Sequence, residues 1–240
     1  MNATALARGV LVLAYFGLAH AASARHDPVL AALALGDIAA IVMLEPLLRA
    51  NARAWGIAAL VAVALVALAR TSFAPLALLL VPAAIVALVA WTFGRTLRKG
   101  HVPLITRMVT ALDGVPLHDM APDLRSYTRA LTATWAIVLG VLANIDLVLA
   151  LCAVPGGLLE GVGIAPPVAV PHAAWSWFAN GLTYGLIGAL FIGEYHYRVR
   201  RFPGRYTSFL DFLRKMGKLG PGFWREAMRD APLREPNGRG

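Results

Sequence analysis

The chain has 240 residues, 59% hydrophobic and only 15% charged, with a mean hydropathy of +0.66 and a formal net charge of +9. A water-soluble domain carries a surface about a quarter charged or more, so this balance makes lipid the solvent of much of the molecule. The single cysteine, Cys152, excludes an intrachain disulfide and any multi-cysteine metal cluster.

A bilayer crossing needs roughly 17–25 apolar residues. Six segments qualify, at about residues 6–24, 29–48, 54–69, 73–93, 130–154 and 175–197. The first also resembles a cleavable secretory signal, with Arg8 before a short apolar run and Ala19-His20-Ala21 after it. The second segment follows almost at once, however, and Arg8 serves a first membrane helix equally well. The third is the shortest, and Arg53 and Arg70 extend it by reaching to the interfaces. Pro75 and Pro82 should bend the fourth, because each removes a backbone donor.

Residues 94–129 form a loop containing "PLITRMVTAL". Its Leu104, Ile105, Met108, Val109 and Leu112 share one helical face, the pattern of a helix lying in the membrane interface. Residues 155–174 have no basic side chain, and Pro166, Pro167 and Pro171 argue for an irregular loop over a seventh helix. In the tail, Ser208 and Asp211 form a capping-box-like start. Phe209, Phe212, Leu213 and Met216 then face away from Arg214, Lys215 and Lys218, and Phe223 with Trp224 would anchor a second short helix.

The expected fold is therefore all-α: a polytopic membrane protein of about six transmembrane helices plus interfacial amphipathic helices. A transmembrane domain covers residues 1–197 and a basic tail residues 198–240. Six crossings put both termini on one side, and of the 22 basic residues only Arg25 and Arg70 then fall on the other. By the positive-inside rule both termini are cytoplasmic. The high isoelectric point thus reports topology and contact with anionic membrane lipids, and nucleic acid is excluded as a partner.

An ionisable side chain near the centre of a span costs about 2.5–3.5 kcal/mol, so each one needs a partner or a purpose. Asp37 and Glu45 in the second span, Asn144 and Asp146 in the fifth and Glu194 in the sixth are the polar candidates. The second and sixth spans run the same way, outside to inside, which places Glu45 and Glu194 at one level near the cytoplasmic interface, while the fifth runs the other way and puts Asp146 toward the outer half. In "FIGEYHYRVRRFP", Glu194 and Arg198 have the acid-before-base spacing of a helical ion pair, while His196 points about 200° away from Glu194. Asn180, Tyr184, Ile187, Phe191 and Glu194 follow one stripe, beside a Gly181-x-x-x-Gly185 that permits close helix approach.

The seam has two readings. In one, Glu194 pairs with Arg198 and ends the helix at the headgroups, with Tyr195 and Tyr197 in the aromatic belt. In the other, Glu45, Glu194, Tyr195, His196 and Arg198 join Arg95 and Arg107 in a polar pocket for a headgroup or acyl-linked substrate. Asp37 and Asp146 alternatively lie on a proton path. His118 and Asp123 have the H-x4-D spacing of glycerolipid-type acyltransferases, in which the acid orients a histidine base. No nucleotide, nucleophile-elbow or zinc-protease motif is present, and His20, His26, His101 and His172 lack ligand spacing, so no metal or cofactor is expected.

At "GRTLRKGHVPLITRMV", "LRSYTRALTATWA" and "FIGEYHYRVRRFP…YTSFLDFLR" the chain resembles a family of bacterial inner-membrane proteins. Its members are encoded beside fatty-acid-like enzymes and acyl carrier proteins in aryl polyene (xanthomonadin-type) pigment clusters. The resemblance covers residues 94–135 and 175–215 and includes Arg95, Pro103, Arg107, Tyr127, Arg129, Glu194, Tyr195, Arg198, Phe202 and Pro203. That family has no established reaction, so no catalytic role is implied. What the resemblance implies is an accessory that recruits or positions acyl-chain or aryl polyene biosynthesis enzymes at the cytoplasmic face. Acyl carrier proteins, which are acidic, and soluble biosynthetic enzymes would be its partners. The alternatives are a membrane-embedded acyl-transfer enzyme and a carrier for an apolar product.

Overall fold

A computed structural model describes residues 3–25, 27–71, 73–114, 116–201 and 223. The protein is an all-α polytopic membrane protein. Among the described residues, five helical segments are long and apolar enough to cross a membrane: Leu6–Ser23, Pro28–Leu48, Ala52–Ala69, Phe73–Arg95 and Pro122–Cys152. Their outward faces carry bare apolar side chains, with Leu13 74% exposed, Val42 71% and Leu60 70%, a surface suited to hydrocarbon and not to water.

The helices group into two compact units. The first comprises Met1–Val81 and Leu147–Trp175. Its α1 (Ala3–Arg25) turns into α2 (Pro28–Leu48) through Asp27, whose carboxylate caps the Val29 and Leu30 amides, with Pro28 in the first helical position. α3 (Ala52–Ala69) starts on Asn51, which caps the Arg53 amide, and α4 (Phe73–Leu79) follows. Alanines close this unit: Ala22, Ala31, Ala32 and Ala74 are buried together, and a side chain at Gly36 would press on Leu65. Small residues let apolar helices approach closely where no hydrophobic driving force is available.

The loop after the fifth segment is more ordered than its composition suggests. β1 (Ala153–Val154) and β2 (Val170–Pro171) form a short parallel ladder around α8 (Leu158–Gly161). Gly161 lies so near Leu76 that a Cβ would collide with that side chain. No helix of membrane-spanning length forms between residues 155 and 174.

The second unit comprises Pro82–Asp146 and Ser176–Gly240. The helical break falls at Leu80, between α4 and α5 (Val81–Arg95), next to the expected Pro82. α6 (Leu104–Asp113) presents its predicted apolar face, and Leu104, Ile105, Met108 and Val109 pack on Leu124 and Leu131 of α7 (Pro122–Cys152), so protein covers that face. Phe223 packs on the same cluster. Other tail features, including the Ser208–Asp211 start, Trp224 and the family-like Phe202 and Pro203, lie outside the described residues.

Threonines hold α6 in place. Its cap residue Pro103 offers no side-chain acceptor. The Leu104 amide instead donates to Thr96 Oγ1 (3.0 Å) and the Ile105 amide to Thr132 Oγ1 (3.3 Å), which satisfies two donors that every helix start leaves open. Thr106 and Thr128 share a hydroxyl contact of 2.7 Å, and Thr96, Thr106, Thr128 and Thr132 are all buried.

The sixth predicted segment differs from the other five. Helical backbone runs through α9 (His172–Trp177), a π-helical turn (Phe178–Leu182) and α10 (Thr183–Arg201). Glu194, His196, Arg198, Arg200 and Arg201 load the end of α10 with polar side chains, so no single piece reaches the apolar length of the five.

Candidate functional site

α5, α6, α7 and α10 of the second unit line a half-open cavity of about 340 Å³. α5 contributes Val86, Val89 and Phe93, and α6 contributes Met108 and Leu112. Trp135 of α7 forms the wall between, stacked on Phe93 at 6.1 Å and edge-on to Phe191 at 6.3 Å. α10 adds Tyr184, Ile187, Phe191, Glu194 and Arg198, four members of the predicted stripe and one further turn. From Tyr184 to Arg198 this wall runs about 20 Å along the helix axis. Among the described lining residues, Glu194 and Arg198 alone are charged, so the slot is apolar along its length and ionic at one end.

The helix geometry makes that ionic end. Four-residue spacing stacks Arg198 over Glu194, and the Arg198 Nε donates to Glu194 Oε1 at 2.7 Å. The Tyr127 hydroxyl of α7 donates to the same oxygen at 2.9 Å, and its ring stacks on Tyr197 at 5.7 Å. Glu194 and Arg198 are each 7% exposed, so the expected Glu194–Arg198 pair forms and is a buried, hydrogen-bonded one, not an exposed surface bridge.

The other predicted site residues have contacts of their own within their units. Glu45, in the first unit, is bonded to Arg49 and lies 3.6 Å from Arg8. Arg95 is buried with its guanidinium 4.6 Å from the centre of the Trp91 ring. Arg107 donates from Nε to the Val102 carbonyl at 3.0 Å and borders a shallow hollow beside Gly114 and Leu117. Neither Arg95 nor Arg107 lines the apolar cavity. Tyr195 packs edge-on to His196, whose Nδ1 lies 2.9 Å from the Ile192 carbonyl oxygen. Of the expected polar pocket, the structure joins Glu194 to Arg198 and adds Tyr127.

Asn144 is exposed and donates to its own helix at the Gly140 carbonyl. Asp146 is buried, with the Thr183 hydroxyl 3.5 Å from Oδ1 and, among the described residues, no hydrogen-bond partner on Oδ2. Asp37, in the first unit, also has one buried carboxylate oxygen without a hydrogen bond. His118 sits 3.4 Å from Asp119, its neighbour, and Asp123 lies in the first turn of α7, so the acyltransferase-like spacing yields no orienting pair. A side chain at Gly185 would meet nothing within 4 Å among the described residues, so the GxxxG is not at a close helix crossing there. The Asn180 side chain lies outside the described residues. Among those residues no three His, Cys, Asp or Glu side chains cluster as metal ligands.

Tyr127 is the site residue that sequence reasoning did not assign to the pocket. A signal exists: Tyr127, Leu131, Trp135 and Leu139 recur every four residues along α7, a stripe that meets the stripe on α10.

No protein-family model, no curated protein and no solved structure matches the chain.

Proposed function

We propose that the protein is a membrane accessory to acyl-chain synthesis, which holds a single apolar chain in the cavity of the second unit and positions it for soluble enzymes at the cytoplasmic face of a bacterial inner membrane. The observation that carries the reading is the long apolar slot ending in a buried ion pair. Its volume of about 340 Å³ lies at the small end of ligand pockets, which suits one chain and not the two of a phospholipid. Exposed Arg98, Lys99, Arg125, Arg129, Arg200 and Arg201 supply positive charge in the same unit, the complement of an acidic carrier protein. In this reading His172–Arg201 makes the sixth crossing and both termini are cytoplasmic.

The test is co-purification in mild detergent with an acyl carrier protein bearing a medium-length chain. Association is expected at low salt and should weaken as salt rises. Val89→Trp, which fills the slot, should remove the advantage of chain-loaded over unloaded carrier. Absence of any association at low salt defeats the proposal.

A further inference from the structure

We propose that the cavity selects chains with a neutral polar head, such as an ester, thioester or alcohol, and rejects the ionised free acid. The inference rests on the chain-binding reading above and concerns the chemistry of the ligand's polar end.

The two charged side chains among the described lining residues at that end already pair with each other. Glu194 and Arg198 are both buried and joined at 2.7 Å. Tyr127 spends its hydroxyl on the same carboxylate oxygen. An arriving carboxylate would be drawn to Arg198, but it would stand equally close to Glu194, whose negative charge opposes it. It would also bring an unmatched charge into a slot whose other described walls are uncharged, and an unpaired charge in such surroundings is strongly disfavoured. A neutral carbonyl or hydroxyl adds only a dipole, which the ion pair tolerates in either orientation. Had the slot been built for free acids, a lone arginine or lysine would serve better, and Glu194 would weaken it.

The discriminating experiment uses the full chain in lipid vesicles and two photoreactive probes with the same diazirine-bearing alkyl chain, one a carboxylate and one its methyl ester, at a pH where the free acid is ionised. Labelling of α5, α6 and α10 peptides is read by mass spectrometry, normalised to probe in the membrane and competed with unlabelled ester. The ester is expected to label at least about tenfold more than the acid. In Glu194→Gln, which keeps the side-chain shape and removes the negative charge beside Arg198, the preference should shrink or reverse.

Saturable labelling by the acid equal to that by the ester in the wild type overturns the neutral-head inference and leaves chain binding intact. Saturable labelling by neither probe overturns chain binding, and this inference with it. Should Glu194→Gln fail to fold, the wild-type comparison decides alone.

Discussion

The two units use opposite means of packing helices. In the first, alanines of α1, α2 and α4 are buried together, and its charged contact at Glu45 is half-exposed. In the second, Phe93, Met108, Trp135 and Phe191 hold helices apart around a void, and buried threonines and a buried ion pair fasten what the void leaves loose. Small side chains give membrane helices contact area by proximity; large ones give contact only where they interlock, and elsewhere leave room for a ligand.

The sharpest way to break this contrast is at the ion pair. Glu194→Ala leaves Arg198 buried without its carboxylate and should cost about 3–5 kcal/mol, measured as a lowered unfolding midpoint in detergent. Replacing both residues with glutamine or methionine should recover most of that loss, because the harm lies in the unmatched charge. Glu45→Ala should cost about 1 kcal/mol or less, since that contact is partly open to its surroundings. Equal losses at the two glutamates would erase the distinction between the units.

The threonine fastening comes next. Thr132→Val keeps the volume but withdraws the acceptor for the buried Ile105 amide, so about 1–3 kcal/mol should be lost. Hydrogen exchange should quicken at the first turn of α6 before it changes in α7. Uniform acceleration through both helices would show that the hydroxyl is not what secures that turn.

Much of this fold was legible beforehand because membrane helices write themselves as long apolar runs, and hydrocarbon tolerates nothing else. The face of α6 and the stripe Tyr184, Ile187, Phe191 and Glu194 were also readable, since helical periodicity alone sets which residues align. Periodicity does not say what an aligned face will meet. The α6 stripe could face lipid or protein, and only the acceptors from Thr96 and Thr132 settle it on protein. Likewise Arg95 and Arg107 carry the charge expected of a pocket, yet Trp91 and the Val102 carbonyl claim them first. Trp91 stands one helical turn before Arg95, a spacing the sequence does show, whereas the Val102 carbonyl is a backbone group that no side-chain pattern announces. The joining of Tyr127 to Glu194 spans 67 residues of chain and depends on how two helices cross, which neither stripe encodes by itself.

The smallest expected effect carries the comparison furthest, because it sets one kind of substitution against two surroundings. Ala31 is fully buried among alanines, so Ala31→Leu must push α2 away from its neighbours, at a cost of about 1–3 kcal/mol. Val86→Leu enlarges a side chain that is also buried, but this one borders the cavity. The added methylene has space to enter, so its overpacking strain is absent and the change should stay within about 0.5 kcal/mol of zero in unfolding measurements. The same variant should weaken chain binding, since the volume it occupies is the ligand's. If Val86→Leu destabilised the protein as much as Ala31→Leu, the second unit would be as tightly closed as the first, and the slot would have no room for a ligand.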